Sequence, residues 1–286
     1  MSFLIGLIGQ NIQGSRSPAL HEREADALGL RYIYRLIDLA QLNLTVGDLP
    51  NLLTSAERMG FAGLNITYPC KQAVIPLLDS LSEDARAIGA VNSLRFENGK
   101  RIGTNTDAQG FSESFLRSLP DAPLQRVVQV GAGGAGAATA NAILSIGAGH
   151  LMLHDSDRAR AQALARRLAD RFGAERVSVA EELPAAIAQA QGLIHATPTG
   201  MSGHEGMPFP AALLRPDLWV AEIVYVPLET ELLRAARAIG CRIVDGGGMA
   251  VFQAVAAFEF FTGAKADPER MLRHFEEMMA LPGELQ

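Results

Sequence analysis

The strongest chemical signal in the chain is Gly131-Ala132-Gly133-Gly134-Ala135-Gly136, which matches G-x-G-x-x-G. It follows the apolar run 127–130 and opens an alanine-rich helical stretch to about residue 146, the context that gives the pattern meaning. Gly131 permits a tight turn, Gly133 lets a pyrophosphate approach the backbone, and Gly136 lets helix and strand pack closely. The helix start then offers free N–H groups and a positive dipole end to the phosphates. Asp155 lies 19 residues past Gly136, at the end of the next apolar run. A carboxylate there accepts hydrogen bonds from a ribose 2′-hydroxyl and repels a 2′-phosphate, so the predicted cofactor is NAD in preference to NADP. The bland role for Asp155 is the N-cap of the following helix. Arg160 is carried with this cofactor set, although it also fits a solvated helix face.

A second group of polar residues sits in the first third of the chain. Ser15-Arg16-Ser17-Pro18 presents two hydroxyls before a helix, with Ser17 expected as its N-cap. Asn65-Ile66-Thr67-Tyr68-Pro69-Cys70-Lys71 leaves an apolar run and places Asn, Thr and Lys on a short loop. Asn92 opens a hairpin, and Asn105-Thr106-Asp107 closes it and starts a helix. Taken singly, each fits a cap, a turn or a solvated helix residue.

The elements that must position these residues alternate. Residues 3–8, 31–37 and 62–66 read as strands, 18–28 and 42–59 as helices. Asn98-Gly99 between 91–96 and 101–106 signals a tight hairpin. Strands at 127–130, 151–154, 177–179, 192–196, 218–224 and 242–244 continue the alternation, with one helix running from the glycine-rich turn to about residue 146 and another over 156–172. The predicted class is α/β: a mixed, mostly parallel substrate domain over 1–115, and a doubly wound, Rossmann-like NAD-binding domain over 120–240. The helices within 245–286 complete the first domain, one over 249–262 and one running to about residue 281. Leu119-Pro120-Asp121-Ala122-Pro123 reads as the hinge.

Composition excludes several other classes. There are 25 basic and 31 acidic residues, a net charge of −6, which argues against grip on nucleic acid phosphates. The apolar start stops after eight residues and lacks a basic n-region, and no run reaches the ~18 residues of a membrane span. Cys70 and Cys241 form no metal-ligand pattern, so no metal is expected and a reducing cytoplasm fits.

Together the motifs resemble the shikimate/quinate dehydrogenase family over nearly the whole chain, in order. The family's S-x-[ST]-P, N-x-T-x-P-x-K, later Asn, N-T-D and glycine loop are matched by the residues above. Its N-A-T-P-x-G-M is matched by Ala196-Thr197-Pro198-Thr199-Gly200-Met201, with His195 in place of the Asn. Its D-G-x-x-M-x-x-x-Q-A is matched by Asp245-Gly246-Gly247-Gly248-Met249 leading to Gln253-Ala254. Asp155-Ser156-Asp157 stands where NADP-using members resemble one another in Asn-Arg-Thr, so the chain looks like the NAD-preferring, quinate-accepting branch.

The resemblance implies roles. Lys71 would take the proton of a ring hydroxyl, as a lysine shielded from water can lose its own proton near working pH. Asp107 would fix that hydroxyl or Lys71. Ser15 and Ser17 would bind the substrate carboxylate, Asn65, Thr67 and Asn92 the ring hydroxyls, and Tyr225 and Gln253 would close the site. Thr197 and Gly248 join Gly131, Ala132, Gly133, Gly134, Ala135 and Gly136 on the cofactor side. Tyr225 could instead be an interface aromatic, Gln253 a helix-surface amide and His195 a satisfied core histidine. The implied reaction is reversible oxidation of shikimate or quinate. A member acting on another cyclohexane carboxylate, such as an aminoshikimate, stays open, as does a non-catalytic NAD-binding regulator. The expected partner is a small carboxylate substrate, with neither nucleic acid nor membrane, and assembly stays open to a homodimer.

Overall fold

The structure is a computed structural model in which residues 2–280 are described. The chain divides into two compact units. One runs up to Thr106 and takes in the residues from Val251 onward; the other is Asp107–Ala250. Among the described residues each unit is built on a six-stranded sheet.

The first unit contains β1 (Ser2–Gly9), α1 (Ser17–Ala27), β2 (Arg31–Asp38), α2 (Leu49–Arg58), β3 (Gly63–Ile66), α3 (Cys70–Ala73), β4 (Ser80–Leu81), α4 (Glu83–Ile88), β5 (Ser93–Glu97) and β6 (Lys100–Thr104). The sheet order is β2-β1-β3-β5-β6-β4. β1 pairs in parallel with β2 and β3, whereas β5 runs antiparallel to both β3 and β6. Period-two alternation along β1 feeds two cores. Phe3, Ile5 and Leu7 face one with Tyr34, Ala257 and Phe261; Ile8 faces the other with Leu39, Leu53, Leu64 and Leu94. The hairpin turn has positive φ at both Asn98 (52°) and Gly99 (71°), the twist-matched geometry that the Asn-Gly pair signals. The expected helix over 42–59 begins only at Leu49. Asn43 takes φ 52°, and Thr45 and Asp48 form a reciprocal capping box ahead of a short 3₁₀ turn.

The second unit contains α5 (Asp107–Ser118), β7 (Arg126–Val130), α6 (Gly134–Ser145), β8 (His150–His154), α7 (Arg158–Phe172), β9 (Val177–Val179), α8 (Leu183–Gln189), β10 (Gly192–His195), β11 (Trp219–Glu222), α9 (Glu231–Ile239), β12 (Arg242–Val244) and the start of α10 (Gly246–Thr262). Its strands are all parallel, in the order β12-β11-β10-β7-β8-β9. Strands buried on both faces read as largely apolar runs, and β7, β10 and β11 are mostly apolar apart from the buried Gln129, His195 and Glu222. α6 is almost wholly buried, and its alanines let it lie close to the sheet. The hinge expected at 119–123 lies inside this unit. Pro123 O accepts the Trp219 indole N–H at 2.9 Å, and Asp121 pairs with Arg242 at 2.5 Å.

The later turns of α10 and then α11 (Pro268–Ala280) belong to the first unit. Arg270 grips the buried Glu24 of α1 through Nε at 2.7 Å and Nη2 at 2.6 Å. Asp267 caps α11 by accepting the Arg270 N–H at 3.1 Å. The last residue of the helix expected to reach 281 lies outside the described residues. Among the described residues no helix is long and apolar enough to cross a membrane.

Candidate active site

The strand directions of the first unit gather its polar candidates on one sheet edge. β1, β3 and β6 point the same way and β5 points back, so the carboxyl ends of the first three and the amino end of β5 share that edge. Ser15 and Ser17 follow β1, Asn65 is the penultimate residue of β3, Thr67 and Lys71 follow it, Asn92 precedes β5, and Thr106 follows β6. The chain leaves β1 for β2 on one side while β3 lies on the other, which makes this a topological switch point of the kind where open α/β sheets bind ligands.

Hydrogen bonds fix several of these residues. Asn65 accepts from the Tyr34 hydroxyl at 2.7 Å and donates to Ser93 Oγ at 2.8 Å and Asn92 O at 3.3 Å. Asn92 donates to Thr106 Oγ1 at 2.9 Å and accepts the Thr106 N–H at 2.8 Å. Lys71 sits on α3, and its carbonyl accepts the Val91 N–H at 2.9 Å, tying that loop to the start of β5. Asp107 is buried at the first position of α5, directly after Thr106. The loop before Ser15 hangs on Asp38, whose carboxylate accepts from Asn11 N, Ile12 N, Gln13 Nε2 and Ala40 N at 2.9–3.1 Å. Burial pushes the Asp38 carboxyl up, but these donors, Gln13 foremost, outweigh it and hold the group below its usual value. Ser17 is not the N-cap expected for it. It is the first helical residue, and the Ser15 hydroxyl accepts its N–H at 3.3 Å. Burial lifts the thiol of Cys70, beside Lys71, to about 11.

In the second unit the glycine loop links β7 to α6. Gly131 has φ +108°, and a Cβ there would lie 2.4 Å from Ala196 O. A Cβ on Gly136 would lie 2.3 Å from Gly131 O, so the turn closes against its own start. Around Gly133 a Cβ would meet nothing within 4 Å, which leaves open space at the α6 N-terminus where a pyrophosphate fits. Ala132, Gly134 and Ala135 complete the turn and the first turn of α6. Buried Gln129 clamps it, donating through Nε2 to Gly131 O at 2.8 Å and Gly136 O at 2.7 Å. Its signal in the sequence is a lone amide in an apolar strand just before the glycines.

Asp155 ends β8. One oxygen accepts the Ala132 N–H at 2.8 Å and the other the Asp157 N–H at 2.9 Å. It is therefore not the N-cap of α7; Asp157 is, accepting the Arg160 N–H at 3.2 Å. Arg160 projects an exposed guanidinium 3.6 Å from both Asp155 and Asp157. Gly248 faces α5: a Cβ there would lie 2.2 Å from Ser114 Oγ, so helix packing by itself accounts for the glycine. Tyr225 follows β11, and Gln253 lies half-buried on α10 in the first unit. His195 is a satisfied core histidine, bonded to Glu222 and to Thr197.

Two family models match the chain: the shikimate dehydrogenase substrate binding domain over residues 7–94, and the shikimate 5′-dehydrogenase C-terminal domain over 246–274. The chain is 57% identical to a shikimate dehydrogenase (NADP(+)) of Streptomyces avermitilis, over 97% of this chain and 96% of that one. It is 48% identical to a quinate/shikimate dehydrogenase (NAD(+)) of Corynebacterium efficiens, over 96% and 98%. Among solved structures it is similar to quinate dehydrogenase from Corynebacterium glutamicum in complex with NAD, with a TM-score of 0.90 and 46% identity over 96% of this chain and 99% of that one.

Proposed function

The chain belongs to the shikimate dehydrogenase family, and from that premise we propose that it catalyses the reversible, NAD-linked oxidation of a ring hydroxyl of shikimate or quinate to the ketone. The observation that carries the reading is the single sheet edge of the first unit, beside whose strand ends Ser15, Ser17, Thr67, Lys71 and Asn92 fall at a switch point. The NAD complex of the similar quinate dehydrogenase supports the cofactor. So does the open cradle at Gly133 beside Asp155, a carboxylate that repels a 2′-phosphate. Relatives named for NADP, the one from Streptomyces avermitilis among them, pull the other way.

Nicotinamide, when bound, supplies the hydride acceptor. The rest falls to this chain's side chains. Lys71 Nζ takes the proton from the ring hydroxyl and returns it in the reverse direction, and the Asp107 carboxylate fixes the same hydroxyl or Lys71. Ser15 and Ser17 donate to the substrate carboxylate. Thr67 reads a ring hydroxyl, and Asn65 and Asn92 shape its surroundings, since their amides are largely held by Tyr34, Ser93 and Thr106. Tyr225 and Gln253 each offer a polar group to the substrate. The backbone of residues 131–136, with Asp155, Thr197 and Gly248, holds the dinucleotide; Arg160 steadies the two aspartates. The free, buried Cys70 and Cys241 suit a reducing cytoplasm. A non-catalytic regulator would have no use for both Lys71 and Asp107.

Steady-state kinetics with shikimate and quinate, each against NAD and NADP, test the proposal. Formation of NADH with at least one acid is expected. NADH formation with neither acid, from protein that binds NADH, would move the substrate to another cyclohexane carboxylate.

A further inference from the structure

The second unit holds an ionisable pair in its interior. His195 and Glu222 face each other at the paired ends of β10 and β11, and both side chains are fully shielded from solvent. His195 Nδ1 lies 2.9 Å from each Glu222 oxygen. The remaining capacity of the carboxylate is filled by the Val224 N–H at 3.0 Å and the Thr230 hydroxyl at 3.1 Å. Thr230 in turn caps α9, accepting the Leu233 N–H at 3.2 Å. The other ring nitrogen, Nε2, lies 2.5 Å from Thr197 Oγ1. Thr197 Oγ1 lies 3.2 Å from Thr199 Oγ1 and accepts the Thr199 N–H at 3.3 Å. A continuous chain therefore runs from the α9 N-terminus through Thr230, Glu222 and His195 to Thr197. It ends against the cofactor loop, because Ala196 O and Thr197 Cγ2 would lie 2.4 and 2.9 Å from a Cβ on Gly131.

Burying such a pair costs desolvation that a hydrophobic pair would avoid, so stability by itself gives little reason for it. Its placement does. Asp155 marks the ribose side at β8, and β10 lies on the opposite side of β7. The part of a bound dinucleotide beyond the pyrophosphate, the nicotinamide part, would therefore lie over the end of β10, where Thr197 sits. We propose that His195 and Glu222 are positioning residues that act through Thr197. Glu222, a fixed acceptor, makes Nδ1 the donor and locks the ring, and Nε2 then sets the Thr197 hydroxyl and the 196–201 turn beside the nicotinamide. The inference rests on the cofactor reading above.

Two isosteres separate the halves of this chain. The amide of His195→Asn coincides with Nδ1 and still meets Glu222, but it stops short of Thr197. The amide of His195→Gln reaches the Nε2 position and meets Thr197, but it leaves Glu222 without its nitrogen partner. Each variant is compared with the unaltered enzyme by kcat, KM for NAD, melting temperature and the fluorescence of bound NADH, which reports the nicotinamide surroundings without turnover. His195→Asn is expected to lose about 10- to 100-fold in kcat, the scale of a misplaced reacting group, with KM for NAD changed by less than about threefold. Its melting temperature should hold and its bound-NADH emission should shift. His195→Gln should melt lower and recover most of the lost kcat. Unchanged kcat and emission in His195→Asn would overturn the proposal. So would a fall of kcat in step with melting temperature in both variants, or a raised KM with kcat intact. Failure of the unaltered protein to bind NADH would instead sink the cofactor reading beneath it.

Discussion

Two glycines of one loop should respond in opposite ways to the same methyl group. Gly133 has φ −71° and ψ −166°, an extended conformation that alanine adopts freely, and a Cβ there meets nothing within 4 Å. Gly133→Ala should therefore stabilise the protein by about 0.4–1 kcal/mol by restricting the unfolded chain. That corresponds to a rise of roughly 1–4 °C in a domain of this size. On the proposed reading the cofactor's phosphates approach the backbone through this empty space, so NADH should bind at least ~10-fold more weakly, a loss of about 1.4 kcal/mol. Gly136 differs. A Cβ there lies 2.3 Å from Gly131 O and 2.8 Å from Gly131 C, both backbone atoms held in place by Gln129. Gly136→Ala gains about 0.5–1 kcal/mol of helix propensity but incurs about 1–3 kcal/mol of overpacking, so stability and NADH affinity should fall together. Thermal melts and NADH fluorescence titrations of both variants suffice. Unaltered NADH affinity in a folded Gly133→Ala would show that the pyrophosphate does not use this cradle, and a lowered melting point would show that the loop is shaped differently.

Lys71→Ala should bind NADH normally, because the glycine loop is built within the other unit, yet lose ~10²–10⁴-fold in kcat; full kcat from pH 7 to 10 would assign the proton to another group. NAD should be used at least ~10-fold more efficiently than NADP, and Asp155→Asn should narrow that gap while leaving an acceptor for the Ala132 N–H. Asp155→Ala should also weaken both cofactors, since that acceptor is gone; equal efficiencies in the unaltered enzyme refute the charge argument. Asp38, held below the ordinary carboxylate range, stabilises the fold above its unfolded pKa and loses that contribution as pH falls through its folded value. The melting difference between wild type and Asp38→Asn should thus be full at pH 7 and shrink below about pH 4, and a difference independent of pH would count against the carboxylate's role.

Where a backbone demand restricts residue type, the residues announced it. The glycine loop, the Asn98-Gly99 turn and the alanine-rich α6 were readable because close approach, positive φ and tight helix packing each admit few side chains. The cap assignment failed at Ser17, as did the cap alternative for Asp155, and for one reason. A side-chain oxygen can accept an N–H two residues on or three residues on, and sequence does not separate these. Ser15 takes the Ser17 N–H and Asp155 the Asp157 N–H, both two on, whereas Asp157 takes the Arg160 N–H three on. Long-range holders were invisible. Glu222 meets His195 only because β10 and β11 are neighbours in register, and Tyr34 reaches Asn65 only across β1.

The motifs that mark this family mix two kinds of residue, and geometry begins to sort them. Asn65, Asn92, Asp155 and Gln129 spend their polar atoms largely on the protein itself, bridging strands and loops that sequence keeps far apart. Ser15 and Thr67 sit half-buried on short connections at a strand end, and Ser17 and Lys71 half-buried in the first turn of the helices that follow. A catalytic group must be held to within a fraction of an ångström, and a loop alone does not hold it so closely. The first kind supplies what the second lacks. The Asn65 and Asn92 amides tie β3, β5 and the end of β6 into one rigid edge, so the loops leaving it begin from fixed points. On the cofactor side, Gln129 and Asp155 do the same for the glycine turn, and the His195–Glu222 pair does it for the turn opposite. Each switch point is thus a place where the sheet opens for a ligand and where buried polar bonds replace the strand pairing that the opening removes.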